Sequence, residues 1–331
     1  MTEVKITDED VGDKLQGKTA IVSRMPGFSS GVDTLKQSRP VLTVTGGSSG
    51  IGQGIAHYLT RSGCRVLIGD LQEPTEPIDG RLYQTTDAGD WDDLLALFKR
   101  AEAEFGRIDI VIPNAGFGDR GDYFDHKDGS GDQIKPEFSC LKVTLIGQMY
   151  TVKLAMHFMR KQQPQGGVIV STVSRSGYDC QSIPVYAASK HGMLGLMRGL
   201  RNHTPHWNIR INSIAPHVTD TAAVRKLPSL VPDLQRIGIP VSTVEETARA
   251  TAFLATNEDY NGCTISIMGS QYRELESGVE RHKRDTMGDD PRFAMNAEQQ
   301  AVMDNIFPPV FQMVKVKGNA GNPVGRSQVS V

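Results

Sequence analysis

The chain has 331 residues, of which 38% are hydrophobic and 22% charged, and its formal net charge at pH 7 is −2. This composition predicts a globular protein with a sizeable core, and no apolar run approaches the roughly 18 residues that would span a bilayer. The dispersed, nearly balanced charge provides no basic face for nucleic acid and no polybasic membrane patch, so small molecules are the expected partners.

The first residues, MTEVKITDEDVGDK, are polar and acidic, unlike a secretory signal peptide, so we expect a cytoplasmic protein. The four cysteines are widely spaced and are expected to be reduced thiols; they are Cys64, Cys140, Cys180 and Cys263. The eight histidines form no HExxH motif or close Cys/His grouping, so no metal site is expected.

From Val41 onward, short apolar runs alternate with helical patterns, which is typical of βαβ units on a parallel sheet. The predicted strands are VLTV at 41–44, RVLIGD at 65–70, IDIVIPNAG at 108–116, GGVIVSTVS at 166–174, RINSIAP at 210–216 and CTISIMG at 263–269. The intervening helices read GIAHYLTRSG, WDDLLALFKRAEAEFG, CLKVTLIGQMYTVKLAMHFMRK, YAASKHGMLGLMRGLRNH and VEETARATAFLAT. We therefore expect one doubly wound α/β domain over 41–270, an N-terminal extension over 1–40, and a C-terminal extension over 271–331 with a disordered end.

The first strand of this sheet occurs twice in the sequence. The stretch from Leu15 to Val22 reads LQGKTAIV, and removing 23–44 would join it directly to TGGSSGIG. Because natural sequences rarely offer two copies of one strand, we hypothesise that 23–44 is an insertion, such as a retained intron. The alternative is a genuine N-terminal arm that contacts a neighbouring subunit. Only the second copy adjoins the glycine loop, so Val41 to Thr45 should enter the sheet and 1–40 should be loosely attached.

The glycine-rich loop TGGSSGIG places Gly46, Gly50 and Gly52 between a strand and a helix. A helix N-terminus offers free N–H groups and the positive end of the helix dipole, and glycines let a diphosphate approach the backbone closely. The pattern indicates a dinucleotide site, although an ordinary strand-to-helix turn would have the same spacing.

Asp70 ends the next strand, where a carboxylate can accept hydrogen bonds from both ribose hydroxyls of a dinucleotide and repel a 2′-phosphate. Ser49 precedes Gly50, and no Lys or Arg immediately follows Asp70. We therefore expect NAD to be preferred, with NADP left open; the alternative is that Asp70 is a solvated strand end.

Tyr186 and Lys190, in YAASK, have the i,i+4 spacing that puts two side chains on one face of a helix. A nearby ammonium favours the phenolate and lowers the pKa of a tyrosine, so Tyr186 could exchange a proton with a secondary alcohol or ketone. An isolated YxxxK also fits an ordinary surface helix.

Ser174 ends the predicted strand at 166–174, at the carboxyl edge of the sheet where doubly wound folds bind ligands. A hydroxyl there can stabilise the developing charge on a substrate oxygen. Ser171, Thr172 and Ser176 are alternatives, and Ser174 could also be a turn serine.

Taken in order, TGGSSGIG, Asp70, PNAG at 113–116, the serine-bearing strand, YAASK and a strand ending in proline resemble the short-chain dehydrogenase/reductase family over 41–270. The resemblance implies a Rossmann-like domain of seven parallel strands and NAD(P)-dependent oxidoreduction. It also implies a homodimer or homotetramer formed through the long fourth and fifth helices.

The match also assigns site residues. The expected cofactor-binding residues are Gly46, Ser48, Ser49, Gly50, Ile51, Gly52, Asp70, Asp87, Asn114, Ala115, Gly116, Tyr186, Lys190, Pro216, Val218 and Thr219. The expected catalytic residues are Tyr186, Lys190, Ser174 and Thr144. Thr144 stands where the family has an asparagine that anchors a proton-relaying water, and His217 stands where it has a glycine after the proline.

Three loops at the carboxyl edge of the sheet, 117–133, 178–185 and 218–240, predict a medium-sized, partly apolar alcohol or ketone as the substrate. The segment YRELESGVERHKR resembles extensions of fungal members of the family, many of which tailor secondary metabolites. The alternative function is a dinucleotide-binding homologue that has lost efficient redox chemistry, which Thr144 and His217 would favour.

Overall fold

The computed structural model describes residues 2–8, 10–11, 40–74, 81–120, 123, 130–179 and 183–287. The strands are β1 (Thr2–Glu3), β2 (Val41–Thr45), β3 (Arg65–Asp70), β4 (Arg81–Thr85), β5 (Ile110–Ile112), β6 (Gly167–Thr172), β7 (Ile209–Pro216), β8 (Thr264–Met268) and β9 (Gln271–Glu274). The helices are α1 (Gly50–Arg61), α2 (Trp91–Phe105), α3, α4 (Pro184–Leu200), α5 (Leu230–Arg236), α6 (Val244–Thr256) and α7 (Glu276–Met287). Helix α3 has three consecutive segments, Ser139–Leu141, the π-helical Lys142–Gly147 and Gln148–Lys161.

The nine strands found among the described residues belong to one sheet, in the order β1-β9-β8-β7-β6-β5-β2-β3-β4. The seven strands from β8 to β4 pair in parallel, which confirms the predicted doubly wound sheet. The direction of winding reverses between β2 and β5, so a ligand crevice is expected at their carboxyl ends.

Two antiparallel strands extend the sheet beyond the range expected from the sequence. Strand β9 pairs with β8, and β1 pairs with β9 in turn. The expectation that 1–40 is loosely attached is therefore wrong for the first described residues: Ile6 and Val11 are buried in the core, and Asp8 accepts a hydrogen bond from Arg249. Apolar side chains in this short segment fill one face of the sheet, which the acidic composition concealed.

The parallel strands are buried on both faces, as their runs of Val, Ile and Leu predict. On one face, α1 and α6 contribute residues such as Leu59 and Leu254 to a core cluster. On the other, α2 and α3 contribute residues such as Phe98 and Met159. The chain divides into two compact units, Met1–Gly278 and Val279–Val331, and the sheet lies in the first.

Strand β2, whose five residues are all buried, contains the second copy of the doubled sequence, so the expectation that Val41 to Thr45 enters the sheet is confirmed. The first copy, Leu15 to Val22, lies outside the described residues, as do Cys180 and the predicted disordered end. Within the described part of the chain, no helix is both long and apolar enough to cross a membrane.

Candidate active site

The glycine loop after β2 requires its glycines for steric reasons. Gly46 and Gly50 have φ values of 66° and 52°, in the left-handed region that other residues adopt at a cost. A Cβ added to Gly52 would lie 2.0 Å from the Gly46 carbonyl oxygen. The loop can therefore fold back tightly at the N-terminus of α1.

Asp70 lies next to this loop at the carboxyl end of β3. Its Oδ2 accepts a hydrogen bond from the Ser48 backbone N–H at 3.0 Å, and the residue is only partly buried. The loop thus fixes the position of the carboxylate.

The loop has the donor set that a dinucleotide diphosphate needs. The hydroxyl of Ser48 is buried and has no hydrogen-bond partner among the described residues. Ser49, at the N-cap of α1, makes no side-chain capping bond, and Gly50 and Ile51 begin the helix. Because α1 directs free N–H groups and its positive dipole toward this point, the residues fit a bound diphosphate.

The end of β5 is tied to the same loop. The Asn114 side-chain amide donates to the carbonyl oxygens of Thr45 and Gly46 at 3.2 and 3.0 Å. The hydroxyl of Thr45 accepts from the Asn114 backbone N–H, and Gln148 of α3 donates to the Ala115 carbonyl. Our sequence reasoning missed Thr45 and Gln148; a polar residue directly before the glycines and a buried glutamine in a helix were the available signals.

Asp87 follows β4 at the same edge of the sheet. Its Oδ1 accepts from the Gly89 N–H at 2.8 Å, and the adjacent Thr86 N–H donates to the Asp70 carbonyl oxygen. Asp87 therefore lies at the same edge of the sheet as Asp70.

Tyr186 and Lys190 lie close together on α4, as their spacing predicts. The Lys190 Nζ lies 5.3 Å from the centroid of the Tyr186 ring and donates to the Thr172 carbonyl oxygen of β6 at 2.7 Å. Lys190 is only 2% exposed, and this burial lowers the pKa of its amine to about 7. The amine can therefore both hold and release a proton near neutral pH.

Ser174 follows β6 and caps a 3₁₀ turn at Arg175–Gly177. Its hydroxyl accepts from the Ser176 N–H at 3.1 Å and lies 3.5 Å from the Pro216 carbonyl oxygen, between the ends of β6 and β7. The alternative residues Ser171 and Thr172 lie within β6 and are buried. The fold thus brings Ser174 to the carboxyl edge, two residues beyond the carbonyl that holds Lys190.

Thr144 lies in the π-helical segment of α3, a conformation often found at functional sites. Its hydroxyl accepts from the Phe117 N–H at 3.1 Å and lies 3.2 Å from the Phe117 carbonyl oxygen. A Cβ on Gly116 would approach this side chain to 3.0 Å. The Thr144 hydroxyl therefore holds the loop that follows β5.

Asp119, also missed from the sequence, belongs to the same loop. Its two carboxylate oxygens accept hydrogen bonds from the backbone N–H groups of Val185 and Tyr186, at 3.2 and 2.5 Å. No local motif could have indicated this contact, because it joins segments that are distant in sequence.

The residues that follow β7 complete the carboxyl edge of the sheet. The His217 N–H donates to Ile267 of β8, and Thr219 forms a bridge with Ser242. Burial and the nearby Arg175 lower the pKa of His217, so its imidazole is neutral at pH 7. Val218 lies between these two contacts. The side chain of Thr221, which we did not single out, lies 3.5 Å from the Cβ position of Gly50.

A glycine loop at the point where the winding of a parallel sheet reverses, with a Tyr–Lys pair on the far side of that crevice, is the arrangement of a dinucleotide-dependent oxidoreductase of the Rossmann class. The sequence profile of short chain dehydrogenases matches 40–230 of this chain, and the chain belongs to that family of oxidoreductases.

Individual relatives are consistent with the family assignment. The chain is 37% identical to the short-chain dehydrogenase/reductase ascJ of Acremonium egyptiacum, over 72% of this chain and 81% of that protein. It is 33% identical to the 2-dehydro-3-deoxy-D-gluconate 5-dehydrogenase of Escherichia coli (strain K12), over 69% of this chain and 94% of that protein. The crystal structure of levodione reductase superposes with a TM-score of 0.59 at 26% identity, covering 70% of this chain and 96% of that one.

Proposed function

We propose that this protein is an NAD-dependent dehydrogenase that interconverts a secondary alcohol and a ketone. The observation that carries the proposal is the Tyr186–Lys190 pair, which the Thr172 carbonyl fixes at the carboxyl edge of β6. A phenol and an amine of lowered pKa at this edge can move a proton to or from a substrate oxygen near neutral pH.

In alcohol oxidation, the Tyr186 phenolate accepts the hydroxyl proton while the Ser174 hydroxyl donates a hydrogen bond to the same substrate oxygen. Lys190 favours the phenolate when it is protonated and, with its pKa near 7, can release a proton in turn. The nicotinamide of bound NAD supplies the hydride acceptor. In ketone reduction the same proton transfers run in reverse.

The preference for NAD over NADP rests on Asp70. The Ser48 N–H holds the Asp70 carboxylate beside the glycine loop, and a carboxylate at this point would repel a 2′-phosphate, which supports the preference. Replacing Asp70 with Ser should reduce kcat/KM with NADH and narrow the ratio of kcat/KM between NADH and NADPH. A wild-type protein with a higher kcat/KM for NADPH would contradict the preference.

The substrate is proposed to be a medium-sized, partly apolar alcohol or ketone, bound by the loops at the carboxyl edge. Leu227 and Ile237, in the loop region around α5, are exposed and offer apolar contacts there. The similarity to a protein named as a reductase and the resemblance to fungal members support a ketone of the kind tailored in secondary metabolism.

A homodimer or homotetramer is proposed because three large apolar side chains, two in α3 and one directly before it, are exposed. Phe138, Ile146 and Met149 are 45%, 39% and 38% exposed, and their spacing places them near one face. A second copy that covers this face would remove the apolar surface from water.

Steady-state kinetics test the proposed function, with NADH and a panel of ketones that includes cyclohexanone and 2-tetralone. The proposal predicts NADH oxidation that depends on the ketone, and the reverse reaction with NAD and the matching alcohols. NADH binding without turnover of any panel member, forward or reverse, would favour the alternative of a dinucleotide-binding protein without redox chemistry.

A further inference from the structure

Asp119 makes contacts that neither the family resemblance nor the proposed mechanism explains. It lies in the loop after β5, three residues beyond Gly116, and its carboxylate reaches the first turn of α4. This turn contains Tyr186. The interaction is thus a helix cap supplied from a distant segment.

Within the described residues, the N-cap position of helix α4 supplies no side-chain capping hydrogen bond. The N-cap residue is Ile183, which has no polar side chain, and Pro184 follows it. The first N–H groups of a helix have no partner within the helix, and an acceptor that satisfies them stabilises the helix. A carboxylate also interacts favourably with the positive end of the helix dipole.

The loop that carries Asp119 is itself fixed to α3. The Thr144 hydroxyl contacts both the N–H and the carbonyl oxygen of Phe117, and the Cys140 thiol donates to the same carbonyl at 3.0 Å. Continuous contacts therefore lead from the π-helical segment through Phe117 and Asp119 to the backbone of Tyr186.

We propose that Asp119 is a positioning residue that fixes Tyr186, and that Thr144 acts on catalysis by anchoring the Asp119 loop. The inference rests on the proposed dehydrogenase function for its kinetic consequence. In this proposal Thr144 holds the Asp119 loop in place, whereas the family resemblance places Thr144 in a proton relay.

Loss of the Asp119 cap should lower kcat. If the cap is removed, the first turn of α4 gains freedom and the phenol of Tyr186 spends less time in reach of the substrate oxygen, while the glycine loop and Asp70 are untouched. A small misplacement of a catalytic group is costly, so we expect Asp119→Ala to lower kcat about tenfold or more. The Kd for NADH should stay within about twofold, because the substitution leaves the contacts of the glycine loop and of Asp70 in place.

The test compares Asp119→Ala, Asp119→Asn and a matched control, Asp90→Ala. Asp90 caps α2 with the same pair of backbone hydrogen bonds, from Asp92 and Asp93 N–H, so its loss removes an equivalent cap away from Tyr186. Asn keeps one acceptor oxygen, which can serve the Tyr186 N–H, but its NH2 group replaces the oxygen that accepts from the Val185 N–H, so the kcat of Asp119→Asn should lie between those of Asp119→Ala and wild type. Asp90→Ala should lower Tm about as much as Asp119→Ala and leave kcat unchanged.

A double-mutant cycle tests the link to Thr144. Thr144→Val removes the hydroxyl that holds Phe117 and should lower kcat, and the double variant with Asp119→Ala should be no slower than Asp119→Ala alone. If the two reductions of kcat multiply in the double variant, Thr144 does not act through Asp119, and the link between them is contradicted. A kcat for Asp119→Ala within twofold of wild type, or no recovery in Asp119→Asn, would overturn the positioning role.

Hydrogen exchange separates this inference from the proposed function, because it does not depend on turnover. Exchange of the backbone amides in 184–190, followed by mass spectrometry, should be faster in Asp119→Ala than in wild type, Asp119→Asn or Asp90→Ala. Unchanged exchange in Asp119→Ala would refute the cap even in an active enzyme. Faster exchange in a protein that reduces no ketone would retain the cap and refute the dehydrogenase assignment.

Discussion

At the scale of single residues, the buried amine of Lys190 has a property that a YxxxK motif alone does not reveal. The motif predicts that tyrosine and lysine share a helix face, and they do. The packing of α4 against β6 then leaves the amine 2% exposed, and this burial lowers its pKa to about 7. The contacts of Asp119 and Thr45 likewise could not be predicted, since they join segments that only the folded chain brings together.

The lowered pKa makes the stability of the protein depend on pH. Burial disfavours the ammonium form of Lys190 in the folded protein. Below the folded-state pKa near 7, the whole of this destabilisation is present. It is relieved as pH rises toward the unfolded-state pKa near 10.5, because the folded protein then holds the neutral amine. Relative to Lys190→Met, which carries no charge, the wild type should therefore gain stability between pH 7 and about pH 10. Thermal unfolding of the two apo proteins at several pH values measures this difference.

Lys161→Met is the control for this prediction. Lys161 is exposed and pairs with Glu102, so the Tm difference between Lys161→Met and wild type should change little from pH 7 to pH 9. A Tm difference for Lys190→Met that stays constant over the same range would show that Lys190 is not the titrating group.

A second tyrosine near the edge, Tyr178, illustrates how environment selects the acid–base residue. Burial, together with its hydrogen bond to Glu276, raises the pKa of Tyr178 well above its usual range. Tyr178 thus remains a protonated donor. Tyr186 instead neighbours a lysine, which is the environment that favours a phenolate.

At the scale of elements, the segment after β8 differs most from what its sequence indicated. YRELESGVERHKR is charged, and we expected an extension beyond 270. The structure forms β9 and α7 there, because Tyr272 and Glu274 alternate inward and the Glu274 carboxylate accepts from the N–H groups of Glu276 and Ser277 at the start of α7. Buried glutamates in this role conceal an ordered segment from a hydropathy pattern.

Glu276 connects this segment to the active-site helix. Its buried carboxylate forms hydrogen-bonded ion pairs with Arg198 of α4 at 2.8 and 3.0 Å and accepts from the Tyr178 hydroxyl. Removing one member of a buried ionic cluster leaves the others unpaired. We expect Glu276→Ala to lower the free energy of unfolding by about 2–4 kcal/mol, toward the lower part of the range for buried pairs because Arg198 is one third exposed.

Urea unfolding measures this loss, and Glu245→Ala provides the comparison. Glu245 pairs with Arg61 on the surface, where both side chains are about half exposed or more. Such pairs contribute roughly 0–1 kcal/mol. Equal effects of the two substitutions would contradict the structural role given to the Glu276 cluster.

At the scale of the whole molecule, the alternation of strands and helices was sufficient to predict the doubly wound sheet and its ligand-binding edge. The alternation predicted six strands, and the family resemblance implied seven parallel ones. Neither could foresee β1 and β9, because strands of two and four residues carry too little periodicity. That 23–44 is an insertion remains a hypothesis, because the structure describes only the last residues of this segment, 40–44.

Assembly is a property of the whole molecule, and the exposed apolar residues of α3 make it testable. The double substitution Ile146→Glu and Met149→Glu should place charges in the proposed interface and convert the oligomer to a monomer, because a buried unpaired charge is costly. Size-exclusion chromatography with light scattering gives the mass. Ile237→Glu, at a more exposed apolar position outside α3, should leave the mass unchanged, and a wild-type monomer would contradict the proposal.

Tyr186 is the proposed proton-transferring group, and the proposed dehydrogenase function depends on it. The most direct measurement is kcat for NADH-dependent ketone reduction by wild type and Tyr186→Phe, with the Kd for NADH measured in parallel by fluorescence. The proposed function predicts that kcat falls by about 10²-fold or more while NADH still binds, since only the transferable proton has been removed. A Tyr186→Phe protein that reduces the ketone at the wild-type rate would contradict it.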